Sequence, residues 1–345
     1  MKKTFAMMAA MMLVLTACTT KQQTASEYVV TRERLRVGEQ SSGMQLTSPV
    51  GDKIDNPAFT GDAYLKNLIA LDSVFNFPQT NVVTFAPGAH SSWHRHGGMV
   101  VLVTGGVGLY QEEDKAAIKR EQSDAGISSA EREQARPMVK PAQVLRKGDV
   151  LQIPAGVRHW HGATRDNWFS QVVIYDMAWR PEAQVDEDNT LSDEYYNELA
   201  LEEYNHPTII DSLMFAAPDS MLTLPTFNGP IRLANTVDAP NAAGAPGLHY
   251  VVFEPGVINA WHTHPGGQIL IATDGIGYHQ IEGQPVEVLH PGDVAKCPPG
   301  VKHWHGASSN SRFAHLAVGT NPDMPPVIWT DEKLSKEEYD RLPKE

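Results

Sequence analysis

The chain of 345 residues contains the same sequence pattern twice. One aligned pair is FAPGAHSSWHRHGGMVVLVTGGVGLYQ (85–111) and FEPGVINAWHTHPGGQILIATDGIGYHQ (253–280). The other is VLRKGDVLQIPAGVRHWHGATRDNWFSQ (144–171) and VLHPGDVAKCPPGVKHWHGASSNSRFAH (288–315). A chain of this length is too long for one ordinary hydrophobic core, so the duplication predicts two domains of similar fold.

The body of the chain has the composition of an all-β protein. Short runs rich in Val and Ile are punctuated by Gly, Pro and Asp at the spacing of a sandwich or barrel. The only convincing helical pattern spans 187–207, with Thr190 or Ser192 as the N-cap and Pro207 beyond its end. We therefore predict two β-domains joined by a short helical linker, with domain 1 at 56–186, the linker at 187–225 and domain 2 at 226–345.

The two copies differ in length. The second His-x-His follows the first by 168 residues, but the later histidines His159 and His303 are only 144 apart, so copy one carries 24 extra residues. They fall in 112–142, a charged stretch poor in β-branched residues, for which we predict an exposed helical excursion from a hairpin. A cover over the mouth of the first domain is the alternative. Each copy is followed by a similar segment, 191–199 after the first and 334–342 after the second. Their similarity predicts a second, shorter helix at the C-terminus.

The N-terminus has the pattern of an export signal. Lys2 and Lys3 precede the apolar run 5–17, which is too short to span a bilayer by itself. The run ends in LTAC, which resembles a bacterial lipobox and implies a signal peptide at 1–17 and lipidation of Cys18. Residues 18–55 would be a tether and N-terminal segment, and the protein an exported lipoprotein of the cell envelope with an acyl anchor in the membrane. An ordinary cleaved signal or a short uncleaved anchor is the alternative.

Charge and cysteine content exclude several classes of protein. The chain has 28 Lys and Arg against 41 Asp and Glu, a net charge of −13 without a basic stripe, which argues against nucleic acid as a partner. Cys297 is the only cysteine besides Cys18, so the mature protein has no intramolecular disulfide. We expect Cys297 to be a packing residue.

Each copy carries a glycine, five residues and His-x-His, followed later by Gly-x5-Pro-x-Gly-x2-His. This two-part pattern resembles that of the cupins, which implies a jelly-roll barrel, or double-stranded β-helix, in each copy. In copy two the pattern consists of Gly256, His262, His264, Gln268 and Gly275, then Gly292, Pro298, Gly300 and His303. In copy one it consists of Gly88, His94, His96, Met99 and Gly106, then Gly148, Pro154, Gly156 and His159.

The spacing has a physical reason. Residues i and i+2 of a strand face the same side, so His262 and His264 both point into a barrel. The Pro-Gly-Gly that follows permits a bend that returns Gln268 to the same centre, and a second hairpin delivers His303. Three imidazoles and one amide oxygen suit an open site for a first-row metal. The alternative is that these histidines are core residues with satisfied hydrogen bonds.

Most of 226–342 and, more loosely, 56–199 resemble small cupins often named carboxymuconolactone-decarboxylase-like, which include manganese-dependent (R)-selective hydroxynitrile lyases. In those lyases the two motif histidines, the glutamine and the later histidine bind the metal. A further histidine twelve residues after the last ligand lines the pocket, and His315 stands at that position. The duplication, the export signal and the 112–142 insert depart from those relatives.

The resemblance and the donor set together imply one divalent transition metal in domain 2. Cupins often have glutamate where this chain has Gln268, and the neutral amide leaves the ion its full charge as a Lewis acid. Imidazole and amide oxygen favour Mn or Fe, while Zn, Ni and Co also suit the set. His305 shares a face with His303 on a regular strand and could support a ligand or move a proton, with a surface or structural role as the alternative. Trp304 points the other way and is expected to pack.

Copy one differs at the decisive positions. Met99 replaces Gln268 and Gln171 replaces His315. A thioether is a weak ligand for the ions expected here, although three histidines can still hold a divalent ion. We predict that domain 2 carries the chemistry and that domain 1, with His94, His96 and His159, is structural or holds at most a second, weaker metal. By the alternation of side chains along a strand, His90 faces the same side as His94, but we expect it at the surface.

Three functions fit these residues. The first is a metal-dependent lyase or isomerase acting on a small carbonyl- or hydroxyl-bearing substrate, with His315 or His305 moving a proton. The second is an oxygen-dependent cleavage, because bicupins also include dioxygenases. The third is a cupin that binds a small sugar or acid without turnover. Association of two copies through the β-sheets of the barrels is a further expectation.

Overall fold

The computed structural model describes residues 51–116, 139–178, 184–185, 191–199 and 213–344. The strands before the linker are β1 (Asp52–Lys53), β2 (Phe59–Thr60), β3 (Ala63–Ile69), β4 (Thr80–Phe85), β5 (His90–Ser91), β6 (His94–Arg95), β7 (Met99–Glu112), β8 (Gln143–Arg146), β9 (Val150–Ile153), β10 (His159–Ala163), β11 (Phe169–Tyr175) and β12 (Gln184–Val185). Those after it are β13 (Ile231–Val237), β14 (Leu248–Phe253), β15 (His262–Thr263), β16 (Gln268–Gly275), β17 (Gly277–Ile281), β18 (Glu287–Leu289), β19 (Val294–Cys297), β20 (Lys302–Ala307), β21 (Phe313–Gly319) and β22 (Ile328–Trp329). The helices are α1 (Asp193–Leu199) and α2 (Lys336–Asp340).

The strands form two similar antiparallel assemblies. Strands β1 to β12 make one curled sheet with the main order β1-β3-β4-β11-β7-β10-β5-β2, in which the long β7 pairs with strands on both sides of the assembly. Strands β13 to β22 make two sheets, β13-β14-β21-β16-β19 and β18-β17-β20-β15-β22, which enclose an apolar core. We call these assemblies the first and second barrel. They confirm the predicted all-β fold with two tandem copies.

One face of each barrel is buried against the other barrel. Along β21, Phe313 and Ala317 point into the second barrel, whereas Leu316 and Val318 on the opposite face belong to a separate apolar cluster. That cluster combines both copies, including Val82, Val172 and Ile174 from the first and Tyr250, Val252 and Ile271 from the second. Side chains alternate between the two faces of a strand. Each interface strand therefore packs one face into the core of its own barrel and the other face into the cluster between the barrels.

A loop of each barrel also packs near the turn that follows the His-x-His motif of the other barrel. In the loop after β3, Asp72 Oδ2 lies 2.9 Å from Lys296 Nζ, and the Val74 carbonyl accepts a hydrogen bond of 3.2 Å from Asn321. The equivalent loop after β13 lies on the first barrel, where a Cβ on Gly98 would fall 1.8 Å from the Ala243 carbonyl oxygen. Only glycine fits at that approach. The turn after His96 is thus contacted directly from across the interface, and the turn after His264 is contacted through Asn321, whose Nδ2 also donates to the Gly266 carbonyl at 2.7 Å.

The two short helices occupy equivalent places. Helix α1 is capped by Ser192, whose Oγ accepts from the Tyr195 amide, and Ser335 caps α2 with a full capping box. The Tyr196 hydroxyl donates to the Ala163 carbonyl at 2.7 Å, and the Tyr339 hydroxyl donates to the equivalent Ala307 carbonyl at 2.9 Å. Ser192 is one of the two predicted caps, and the predicted C-terminal helix is confirmed. Each helix is fastened to the outer wall of its own barrel.

The expected surface position of His90 is wrong. Its side chain is buried and its ring stacks on Tyr196 at a centroid distance of 4.6 Å, under α1 and outside the first barrel. The short strand β5 ends at Ser91, before His94, so the alternation of faces does not run unbroken between the two histidines.

Several predictions fall on segments that the structure does not describe. The signal peptide 1–17, Cys18 and most of the tether 18–55 lie outside the described residues, as do 117–138 of the insert and 200–212 of the linker. In the part of the chain that is described, no helix has the length and apolar character needed to cross a membrane.

Candidate metal centre

Four predicted ligands converge inside the second barrel. His262 on β15 and His303 on β20 are directly paired across their strands, and their ring centroids lie 4.1 Å apart. One ligand nitrogen of each of His262, His264 and His303 lies within 4.8 Å of the others. Gln268 Oε1 lies 3.0 Å from His303 Nε2. We call these four residues the ligand cluster.

A tight turn returns Gln268 to the histidines, as predicted. Gly267 has φ +87°, a backbone region that favours glycine, and its amide donates to the His264 carbonyl at 2.9 Å. Strand β16 begins at the next residue, Gln268, which is 7% exposed. The glycine thus allows two consecutive strands to present ligands to one point.

The hydrogen bonds of the cluster fit a bound metal. His262 Nδ1 donates to the Ala260 carbonyl at 2.8 Å, which leaves Nε2 with a lone pair. That nitrogen is buried and has no hydrogen-bond partner among the described residues. A ligating histidine is normally held in this way through its other ring nitrogen. An orphaned buried nitrogen beside two further imidazoles and an amide oxygen is what an open first-row metal site requires.

Burial keeps the histidines neutral. It lowers the pKa of His262 to about 3 and that of His264 to about 4. The pKa of His303 is lowered further, first by burial and then by the neighbouring histidines. Neutral imidazole is the form that binds a cation, so the ligand cluster is ready for a metal at neutral pH.

His305 and His315 lie on the apolar side of the ligand cluster. The two rings are 5.0 Å apart, and His305 lies 5.4 Å from His262. His315 is completely buried, its ring stacks on those of Phe253 and Phe313 at centroid distances of 5.7 and 5.1 Å, and neither of its nitrogens has a partner among the described residues. Both histidines therefore face the centre, and the alternative of a surface role for His305 is wrong.

Asn259 fixes the ring of His305. Its Oδ1 accepts from the His305 amide at 2.9 Å, and its Nδ2 lies 3.0 Å from His305 Nε2. An amide Nδ2 is a donor only, so Nε2 accepts and the proton is on Nδ1. His305 thus presents an N–H that has no partner among the described residues.

Trp304 points away, packs outside the barrel as predicted, and donates to Gln280 at 2.8 Å.

Two residues of the centre were missed by sequence reasoning. His279 on β17 is completely buried, 5.4 Å from His303 between ring centroids, and its Nδ1 lies 2.6 Å from Glu287 Oε2. Cys297 is buried as expected, yet its Sγ lies 2.8 Å from His303 Nδ1, so it contacts a ligand rather than only packing. A signal for His279 was present, because copy one has Tyr110 at the aligned position.

The first barrel contains a similar group of three histidines. His94, His96 and His159 place their ligand atoms within 4.8 Å of one another. The Nδ1 atoms of His94 and His159 each contact a backbone carbonyl at 2.9 Å. Three imidazoles are enough to hold a divalent ion, so this group could also bind a metal.

Part of the chain matches known proteins in sequence. A family model described as a cupin domain matches residues 249–319. An (R)-mandelonitrile lyase of Granulicella tundricola is 46% identical over 115 residues, which are 33% of this chain and 86% of that protein. The chain belongs to the cupin family. Because it contains two such barrels, it is a bicupin, and the expected resemblance to hydroxynitrile-lyase-like cupins is confirmed.

The solved structure of an oxalate decarboxylase agrees with this fold. A mutant of the Bacillus subtilis oxalate decarboxylase covers 89% of the bicupin and 88% of its own chain, with a TM-score of 0.50 and 14% identity. At that identity the likeness concerns the fold alone. A cupin-like protein of Thermotoga maritima is 36% identical, covers 36% of this chain and 93% of its own, and has a TM-score of 0.34.

The two barrels of the bicupin differ where the ligand cluster is completed. Met99 is 2% exposed and packs with the apolar core of the first barrel. Gln171 replaces His315 and lies 3.0 Å from His161, the equivalent of His305. The first barrel therefore has neither an oxygen ligand at the position of Gln268 nor an imidazole at the position of His315.

Proposed function

We propose that this bicupin is a metal-dependent lyase whose site is the second barrel, acting on a small substrate that bears a hydroxyl or carbonyl group. One observation carries the proposal. His315 is fully buried, has two unpartnered ring nitrogens among the described residues, and lies 5.0 Å between ring centroids from His305, whose ring is 5.4 Å from that of the ligand His262. A buried polar group without a partner is costly, and its retention is typical of a functional site.

The relative supports a more specific reaction class. The Granulicella tundricola protein, 46% identical, is an (R)-mandelonitrile lyase. We propose that the bicupin cleaves, or in reverse forms, a carbon–carbon bond next to a hydroxyl-bearing carbon, as in an aromatic cyanohydrin. The rings of Phe253 and Phe313, which contact each other and the ring of His315, would give an apolar wall for an aromatic group.

The residues present divide the chemistry between them. His262, His264, Gln268 and His303 would hold Mn or Fe, which supplies Lewis acidity towards the substrate oxygen. His315 Nε2 or Nδ1 accepts the hydroxyl proton as the carbonyl forms, and the carbon–carbon bond electrons leave with the cyanide carbon. The protonated His315 then returns that proton to the cyanide. Burial lowers the pKa of His315 to about 3, so the ring is neutral before turnover.

His305 orients the substrate rather than acting as the base. Its Nε2 is occupied by Asn259, so it can only donate from Nδ1 towards the centre. A donor beside the developing carbonyl or cyanide charge stabilises the transition state more than the ground state. The pair thus provides one proton acceptor and one fixed donor.

Turnover assays with the metal-loaded protein test the proposal. We expect release of cyanide and aldehyde from (R)-mandelonitrile-type cyanohydrins without oxygen consumption. Turnover of hydroxyacids or uronates that consumes oxygen would indicate a dioxygenase and contradict the proposal. Binding of a member of this panel without turnover would indicate a non-catalytic binder and would contradict it equally.

We also propose that the protein is an exported lipoprotein anchored through Cys18. The sequence LTAC after an apolar run supports this localisation. Replacing Cys18 by serine should move the protein from the membrane fraction to the soluble fraction, because no acyl chain can be attached. Immunoblots of fractionated cells measure the change, with Cys297→Ser as the matched control that should remain in the membrane. Retention of the Cys18→Ser protein in membranes would contradict the anchor.

A further inference from the structure

A second group of metal-binding atoms lies behind the ligand cluster. His279, Cys297 and His303 each place one ligand atom within 4.8 Å of the other two, and all three side chains are buried. We call this group the thiol cluster. It shares only His303 with the ligand cluster, and neither His279 nor Cys297 has a role in the proposed lyase reaction.

His279 is held as a metal ligand would be. Its Nδ1 is 2.6 Å from Glu287 Oε2, the arrangement in which a carboxylate fixes the tautomer of a ligating imidazole. Nε2 then carries the lone pair, is buried, and has no partner among the described residues. A buried, unpartnered imidazole nitrogen next to a thiol is the donor arrangement of a cation site.

His303 can serve either cluster but not both at once. Its Nε2 faces Gln268 Oε1 at 3.0 Å, and its Nδ1 faces Cys297 Sγ at 2.8 Å. A neutral imidazole has one lone pair. With the proton on Nδ1 the ring offers Nε2 to the ligand cluster. With the proton on Nε2 it donates to Gln268 and offers Nδ1 to the thiol cluster.

Of this arrangement the first barrel has only the equivalent of His303. Tyr110 stands where His279 does, Ile153 stands in place of Cys297, and Gln143 in place of Glu287. The equivalent histidine, His159, has its Nδ1 2.9 Å from the Val157 carbonyl, whereas that contact is 3.5 Å for His303. The fold therefore does not need the thiol cluster, because the duplicate folds with a carbonyl in its place.

We propose that the thiol cluster is a second metal site, for a thiophilic cation such as Zn²⁺ or Cu⁺, which competes with the ligand cluster for His303. One thiolate and two imidazoles select soft or borderline ions, whereas three imidazoles and an amide oxygen accept Mn²⁺ or Fe²⁺. Ligands of a bound zinc lie roughly 3.5 Å apart, so the side chains need to adjust by only about 1 Å. The thiol proton leaves to solvent as the cation binds.

Co²⁺ titration of metal-free Cys18→Ser protein tests the site directly. In that variant Cys297 is the only cysteine, so a cobalt–thiolate charge-transfer band in the near ultraviolet reports this site alone. We expect the band in Cys18→Ser, and also after the further change His264→Ala, which disables the ligand cluster. We expect its loss after Cys297→Ser or His279→Ala, with unfolding midpoints measured in parallel and His279→Leu as a second variant if His279→Ala does not fold.

Two outcomes would overturn the site. One is the absence of a thiolate band while Co²⁺ still binds. The other is a band that disappears with His264→Ala and survives His279→Ala, because Cys297 would then serve the ligand cluster.

The competition has its own measurement. Zn²⁺ in the thiol cluster should weaken Mn²⁺ binding by about 5–150-fold, the usual range for two coupled sites, as followed by the paramagnetic resonance signal of free Mn²⁺. Cys297→Ser should remove the part of this effect that depends on the thiol cluster and leave only the direct displacement of Mn²⁺ by Zn²⁺ at the ligand cluster, so an equal effect of Zn²⁺ in both proteins would contradict the competition. An unchanged Mn²⁺ affinity in the unmodified protein would contradict the shared use of His303.

Discussion

Replacing His315 by glutamine is expected to lower kcat for cyanohydrin cleavage by roughly 10²–10⁴-fold, the usual contribution of a positioned proton acceptor. Glutamine occupies this position in the first barrel, so the side chain is compatible with the fold. It has no basic nitrogen and would instead hydrogen bond to His305, as Gln171 does to His161. The metal content should not change, because His315 is not a ligand. Steady-state kinetics and metal analysis of the same preparation measure both quantities.

The duplicate offers the matched control. Gln171→His introduces the imidazole into the first barrel, and we expect no change in kcat because Met99 occupies the position of the fourth ligand there. Wild-type turnover by His315→Gln would show that another group accepts the proton. A metal loss equal to the activity loss would show that His315 acts through the ligands.

Leu316→Ala is expected to lower the free energy of unfolding by about 2–5 kcal/mol, the range for truncating a buried leucine. Leu316 is 1% exposed and lies between the barrels, where the surrounding strands are fixed on both sides and cannot collapse into the space. Denaturant unfolding followed by tryptophan fluorescence measures the change. We expect the two barrels to unfold together, because they share one apolar cluster.

Leu71→Ala is the matched control for the interface. Leu71 is 50% exposed, so the same substitution should change the free energy of unfolding by no more than about 0.5 kcal/mol. Equal effects of the two changes would contradict a shared core. So would an unfolding curve for Leu316→Ala in which the first barrel keeps its original midpoint.

Much of the site follows from the sequence for simple reasons. The duplication identifies which residues the fold needs, and the period of two places His262 and His264 on one side of a strand. The Gly-Gly turn brings Gln268 back beside the histidines, and this turn depends on the positive φ of Gly267. These features are local in the chain, so spacing alone determines them.

The contacts that were missed depend on how strands pair with one another, which the spacing of residues within one strand does not give. Asn259 reaches His305 across 46 residues, and His279 meets its carboxylate only because β17 and β18 pair in one register. For His90 the alternation of faces fails, because the strand is interrupted between β5 and β6. Parity is informative within a strand and loses its meaning at a break or bulge.

The metal content of two variants tests the central claim, that the second barrel holds the functional metal. His264→Ala should lose one equivalent of manganese plus iron relative to the wild type, because a ligand of the complete cluster is removed. His96→Ala, the same change in the first barrel, should retain nearly all of it, because Met99 replaces the fourth ligand there. The measurement is elemental analysis of protein purified without added metal. An equal loss in both variants, or a loss in His96→Ala alone, would contradict the assignment of the functional metal to the second barrel.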